Sequence, residues 1–248
     1  MINRILLKLR IASRKCYGSN KIKYIYEKHK NSNLLVVVFS GFSASNEPAR
    51  FNYVRTLLPV KVNKLFILDD FGYENRGSYY LIGRNGDENL QNEICSLIAA
   101  CRGNRKLVTA GSSKGGTAAI LYGLMCNADA VVAGAPQYHL GTYLAQPNHL
   151  KILEGICADV SEESIHKLNA LLPNQIERSG STNVSFFLHC SPREHTYEDH
   201  VKDLLTDLKA RNHAVYEDLD DSYADHAMVG RYFSDYLCRI LEKIAEEI

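Results

Sequence analysis

The chain has no apolar run near the ~20 residues that a spanning helix requires, and it contains no internal repeat and no low-complexity segment. A spanning bundle and a repeat array are therefore excluded. Charge of one sign is also missing, with a formal net charge of only +1. The seven cysteines are odd in number and follow no framework of spacings, which reads as reduced thiols and a cytoplasmic setting. Neither HExxH nor paired CxxC is present, so the proximity of Cys190, His195 and His200 is too unspecific to imply a metal. The start, "MINRILLKLRIASRKC", scatters basic residues through a very short apolar patch and makes a poor secretory signal.

What is present describes one large single-core domain: 248 residues, 46% hydrophobic and 23% charged. The small net charge hides a strong asymmetry. Residues 1 to 30 hold nine Lys/Arg against Glu27, a net +8, while the remaining 218 carry 20 basic and 27 acidic side chains, a net −7. Residues 1–22 thus read as a basic N-terminal arm. It is either a solvated terminus or a surface for an anionic polymer, a membrane or a partner complex, the last two implying a membrane-peripheral location. No nucleic-acid reading motif accompanies the charge, so nucleic acid is not expected as a partner.

Six short apolar runs recur between helical patterns: Leu34 to Phe39, Lys64 to Asp69, Lys106 to Ala110, Ala130 to Ala133, Val184 to Cys190 and Ala214 to Leu219. Such runs suit strands buried on both faces of a parallel sheet. Amphipathic stretches at Glu88 to Cys101, Tyr197 to Arg211 and from Val229 onward fill the gaps. Alternation of this kind predicts right-handed crossovers and a doubly wound α/β sandwich, with "KIKYIY" as an antiparallel edge strand. The 43 residues from Gln137 to Ser179 form an unusually long connection with two prolines. They read as a helical cap insertion over the carboxyl edge of the sheet, or else as a plain surface excursion.

The chemistry concentrates in "LVTAGSSKGGTAAILYG", Leu107 to Gly123. A phosphate loop of the form G-x-x-x-x-G-K-[ST] fails on register, since Lys114 precedes Gly115 and Thr117 follows two glycines; G-x-G-x-x-G is also absent. By contrast Gly111-Ser112-Ser113-Lys114-Gly115 fits G-x-S-x-G between a strand and a helix. The strained turn needs small residues two before and two after the nucleophile. That selects Ser113, because Ser112 would have Lys114 in the second position. An oxyanion hole needs two N–H donors. Lys114 would supply one from its backbone; the Ser40-Gly41-Phe42 turn after the first core strand resembles the His-Gly-Phe turn of many α/β-hydrolases, which implies Phe42 as the second donor, and is otherwise an ordinary turn.

A base must follow in the chain order serine, acid, histidine, and His226 in "DDSYADHAMVG" lies beyond the final strand. The acid belongs in "HCSPREHTYEDH". Glu194 precedes the helix that starts near Tyr197, whereas Asp199 falls inside it, so Glu194 is preferred. His195 and His200 read as surface or lining residues.

Together "GSSKGGTAAILYG", "GAPQ", "NRGSYYL", "HCSPREHTY" and the late "DH" resemble bacterial α/β-hydrolase-type capsule polysaccharide O-acetyltransferases, over about Leu34 to Phe233. The resemblance implies an α/β-hydrolase-like fold and a Ser113–His226–Glu194 triad. It implies acetyl-CoA as acyl donor, a polysaccharide or oligosaccharide acceptor and work alongside capsule synthesis. Arg76 in "ENRGSYY" would bind an anionic group, or else order its loop. Chemistry read from the residues alone stops earlier, at an acyl-enzyme on Ser113. A serine esterase or thioesterase with the same triad and a non-catalytic glycan-binding or assembly protein on a retained scaffold remain alternatives.

Overall fold

The computed structural model describes residues 2–43, 47–180 and 183–247. In chain order the strands are β1 (Lys15–Tyr17), β2 (Ile22–Glu27), β3 (Leu34–Phe39), β4 (Asn63–Ile67), β5 (Lys106–Ser112), β6 (Ala130–Gly134), β7 (Ser185–Cys190) and β8 (Ala214–Leu219). The helices are α1 (Ile2–Ala12), α2 (Leu90–Arg102), α3 (Lys114–Met125), α4 (Leu140–Leu144), α5 (Leu150–Cys157), α6 (Glu162–Asn169), α7 (Leu171–Ser179), α8 (Lys202–Ala210) and α9 (Val229–Glu246). The eight strands form one sheet in the order β1-β2-β4-β3-β5-β6-β7-β8. Every pairing from β4 to β8 is parallel, and the β1–β2 and β2–β4 pairings are antiparallel. This is the mostly parallel, doubly wound α/β-hydrolase-like architecture expected from the alternation of elements.

All six residues of β3 are buried, as befits a central strand covered on both faces. The register shows which helix covers which face. Thr109 pairs with Val131, and Val131 with Phe186; Thr109 Oγ1 donates to the Ala119 carbonyl of α3 at 2.7 Å. His189 lies three residues beyond Phe186, so its side chain projects to the other face. There it packs on Phe233 and Tyr236 of α9, with ring centroids 6.2 and 5.3 Å away.

Two strands depart from expectation. "KIKYIY" supplies β2, which is antiparallel, but β1 lies outside it and forms the edge. β8 forms the opposite edge, with four of its six residues exposed and the other two half-buried, rather than buried on both faces. Its Glu217 and Asp218 explain the difference, since charge on an edge strand discourages pairing with another chain.

The basic segment 1–22 comprises α1, β1 and the turn into β2. Arg10 NH1 donates to both Glu27 carboxylate oxygens at 2.6 Å, and the Ser19 backbone N–H donates to Glu93 at 2.8 Å. The long connection at 137–179 carries α4, α5, α6 and α7. Among the described residues, no helix is long and apolar enough to cross a membrane.

Candidate active site

The β5–α3 junction places Ser113 at φ 52° and ψ −126°, a region that a non-glycine residue occupies at a cost of roughly 1–3 kcal/mol. Surrounding sterics enforce the bend. A Cβ at Gly111 would lie 2.3 Å from the Gly115 carbonyl oxygen, and one at Gly115 would lie 2.5 Å from that of Phe39. Both glycines are therefore required by backbone contact. The Ser113 N–H donates to the Gly134 carbonyl at 2.8 Å, and its own carbonyl accepts from Gly116 and Thr117 at 2.8 and 3.0 Å. Its hydroxyl is thus presented at the carboxyl edge of the sheet. The neighbouring Ser112 hydroxyl is instead hydrogen-bonded to Tyr53 Oη at 2.5 Å.

His226 opens a short helical turn, His226–Met228, whose cap is the Asp225 carboxylate accepting from the Ala227 N–H at 2.9 Å. Its Nε2 lies 2.8 Å from Ser113 Oγ, and its Nδ1 lies 2.5 Å from Glu194 Oε1 and 3.1 Å from Thr196 Oγ1. Glu194 sits in the turn after β7, fixed by its N–H to the Ser191 carbonyl at 3.2 Å and its carbonyl to the Tyr197 N–H at 3.0 Å. Its side chain is fully buried while that of His226 is 25% exposed, so the imidazole alone of the two meets the cleft. Burial pushes the Glu194 carboxyl up, but hydrogen bonding and charge from His226, with help from Thr196 and His195, outweigh it and hold the group below its ordinary value. Asp199 lies apart, exposed on the π-helical turn Tyr197–Val201.

Of the two residues expected to supply oxyanion donors, Lys114 opens α3 directly after Ser113 and Phe42 follows β3, the strand beside β5. Neither the Phe42 nor the Lys114 backbone N–H donates to another described residue, whereas the Gly41 N–H is taken by Asn52 Oδ1 at 3.0 Å. The Phe42 ring meets Tyr79 edge-on at 5.5 Å and lies parallel to the His149 ring at 6.3 Å. Tyr143 stacks on the same imidazole at 4.6 Å, so α4 and the residues before α5 contribute to this wall.

Arg76 is half-buried on the loop between β4 and α2, with no hydrogen bond or ion pair from its side chain to a described residue. Burial depresses the His149 imidazole, and the charges of Arg76 and His226 depress it further. The residues considered for a metal diverge. Cys190 is buried with its thiol 4.0 Å from Glu194, and His195 is exposed with its ring 6.0 Å from that of His226. His200 is buried and accepts from the His139 N–H at 3.3 Å. Among the described residues, no group of three or more His, Cys, Asp or Glu side chains is placed to hold a metal ion.

Several neighbours of the serine escape a reading of the sequence. The Lys114 side chain turns inward to Asp69 at 2.7 Å, with both side chains wholly buried. The same carboxylate accepts from the backbone N–H of Ser78 at 3.0 Å and of Tyr80 at 3.2 Å. Desolvation lowers the Lys114 ammonium despite the opposing pull of Asp69. Gln137, after β6, donates from Nε2 to Ser113 Oγ at 3.3 Å. Asp69 and Gln137 both follow carboxyl ends of central strands, and that position is the signal that could have found them.

Comparisons with known proteins bear on the fold first. The capsule O-acetyltransferase of Neisseria meningitidis serogroup A is similar at 21% identity, covering 91% of this chain and 92% of that one with a TM-score of 0.79. A variant of that enzyme in complex with CoA matches with a TM-score of 0.78, 21% identity and coverages of 94% and 96%. The Glycosylation Associate Protein complex from Streptococcus agalactiae matches at 21% identity and TM-score 0.68, over 92% of this chain and 46% of that one. An S-formylglutathione hydrolase from Agrobacterium tumefaciens matches at 13% identity and TM-score 0.62, over 92% and 93%. No curated protein matches the chain. At these identities the likeness to the capsule enzyme is one of fold. The family is shown by a family model that matches residues 20–244. The chain belongs to the family described as Accessory Sec system GspB-transporter.

Proposed function

We propose that this protein is a serine-dependent acyltransferase. The observation that carries the reading is the continuous chain from Glu194 through His226 to Ser113, at 2.5 and 2.8 Å, ending on a hydroxyl held at a strained elbow. In this mechanism His226 Nε2 takes the Ser113 proton as Oγ forms its bond to an acyl carbonyl carbon. Glu194 holds the imidazole in the tautomer that leaves Nε2 free to accept, and it stabilises the imidazolium that follows. The backbone N–H groups of Phe42 and Lys114 receive the developing oxyanion. His226 then gives its proton to the leaving group. In the second half it takes one from the incoming hydroxyl, which displaces Ser113 from the ester.

Acetyl-CoA is the donor and a hydroxyl of a surface polysaccharide or oligosaccharide is the acceptor in this reading. Support comes from the residues resembling capsule O-acetyltransferases and from the CoA complex of the similar enzyme. Arg76 suits an anionic group on either substrate, since its charge has no carboxylate partner among the described residues. Residues 137–179 act as a cap, contributing Tyr143 and His149 to the wall beside Phe42. The protein works beside capsule-type synthesis, where α1, with Leu9 61% exposed among basic residues, meets an anionic membrane surface.

The test is intact-mass analysis after incubation with acetyl-CoA. The parent gains one acetyl group and Ser113→Ala gains none, with transfer lost by at least about 10⁴-fold. Thiol release unchanged by every glycan acceptor, alongside ready hydrolysis of simple esters, would instead assign an esterase, the activity class of the similar S-formylglutathione hydrolase. The parent and Ser113→Ala both staying unacetylated would leave a binding or assembly role, in line with the description of the family.

A further inference from the structure

Gln137 is wholly buried beside the elbow, and its backbone needs nothing from its side chain. The Gln137 N–H donates to Thr117 Oγ1 at 2.8 Å and the Thr117 hydroxyl donates to the Gln137 carbonyl at 3.1 Å, which fastens the turn to α3. The side-chain amide makes further bonds, and the Thr117 hydroxyl also reaches its Oε1 at 3.5 Å. Tyr79 Oη donates to Oε1 at 3.2 Å, and Nε2 faces Ser113 Oγ at 3.3 Å and the Ala135 carbonyl at 3.4 Å. The last contact fixes the amide's direction. A carbonyl oxygen can only accept, so the end nearest Ala135 and Ser113 is the NH2 group; the flipped amide would set oxygen against oxygen.

We infer that Gln137 is a further catalytic residue, whose Nε2–H donates to Ser113 Oγ and supports the negative charge that grows there. This rests on the reading of Ser113 as the nucleophile. The resting hydroxyl gives its proton toward His226 Nε2, accepts one bond from Gln137 and keeps its second lone pair free. That free pair is the one that forms the Oγ–carbon bond, while the Oγ–H bond breaks toward Nε2 and the carbonyl electron pair moves to its oxygen. Gln137 gains and loses no proton. When the acyl-enzyme is cleaved, Oγ is the leaving atom, and the same donor offsets its charge until His226 returns the proton.

The experiment follows single-turnover acylation by p-nitrophenyl acetate in the full chain, with Ser113→Ala, Gln137→Met and Gln137→Glu alongside. Gln137→Met keeps the volume and removes the donor; its acylation rate falls by ~10–100-fold, somewhat below the loss of a full oxyanion-hole donor because the bond is long. The ester's KM stays within about twofold, and the thermal midpoint falls because the buried Tyr79 hydroxyl loses its acceptor, while the backbone bonds to Thr117 persist. Gln137→Glu is isosteric and donates only while protonated. The parent's rate rises with pH as its general base becomes neutral, and Gln137→Glu adds a falling limb at higher pH that a merely structural residue would not create. If Gln137→Met fails to fold, the Gln137→Glu profile decides alone. Both variants within twofold of the parent, or a Gln137→Glu profile with the parent's shape, overturns the role of Gln137 and leaves Ser113 in place. A parent that is not acylated, or Ser113→Ala reacting as fast as the parent, overturns the nucleophile and this inference together.

Discussion

Two pairs of opposite ionisable groups flank the same bend, and they are built for opposite ends. Lys114 and Asp69 meet at 2.7 Å with neither side chain exposed, and the carboxylate is saturated further by two backbone N–H groups. His226 and Glu194 meet at 2.5 Å with the carboxylate buried but the imidazole 25% exposed and in contact with a serine hydroxyl. The first pair has no route by which a proton or ligand could reach it, so its contribution is to shape. The second keeps one end in the cleft, and there a proton can move. Burial alone therefore does not separate the two pairs; the open end does.

The comparison breaks most visibly at Glu194. Glu194→Gln keeps the volume but presents an amide to Nδ1, which favours the wrong imidazole tautomer. The acylation rate should fall by about 10²–10⁴-fold with little change in KM. This variant also carries a pH signature in stability. The Glu194 carboxyl sits below its ordinary value in the folded chain, so its stabilising contribution is present at neutral pH and lost as pH falls through that lowered value. Denaturant midpoints measured from neutral into acid should show that loss in the parent and a flatter course in Glu194→Gln.

At the sealed pair the effect moves from rate to stability. Lys114→Met leaves Asp69 as an uncompensated buried charge and should cost about 3–5 kcal/mol in urea unfolding. The double change Lys114→Met with Asp69→Leu should recover part of that loss. A single variant within 1 kcal/mol of the parent would show that Asp69 is neutralised some other way.

The smallest effect is expected at a third pair, Arg10 with Glu27, where the arginine is 32% exposed. Lys64 remains 3.5 Å from Glu27 when Arg10 is gone. Arg10→Gln should therefore cost no more than about 1 kcal/mol, and deleting residues 1–12 should leave activity on short soluble acceptors within twofold. Binding to anionic vesicles, measured by co-sedimentation, should disappear with the same deletion.

The sequence makes the parallel sheet legible because its central strands are covered on both faces and so read as unbroken apolar runs. β3 is legible to the residue, and β8 equally so in its bounds, yet the exposure of β8 is invisible because four apolar residues beside two acids serve an edge as well as a centre. β1 escapes for a simpler reason: three residues carry no periodicity. Within the site, Ser113 is legible because sterics confine the bend to glycine at fixed offsets. Glu194 over Asp199 follows from where a helix begins. Asp69 carries no local pattern and Gln137 enters only as the last residue of "GAPQ", since their contacts exist only where the carboxyl ends of β4 and β6 approach the β5–α3 turn in space.

Asp69 has one more consequence. It grips the Lys114 ammonium next to the serine and, through Ser78 and Tyr80, the backbone of the stretch that bears Arg76. The loop that bears Arg76 and the turn that bears Ser113 thereby share one anchor. In the proposed reaction, a molecule held by an anionic end at Arg76 would meet the hydroxyl across a frame already tied together, and less freedom would be left to freeze when it arrives.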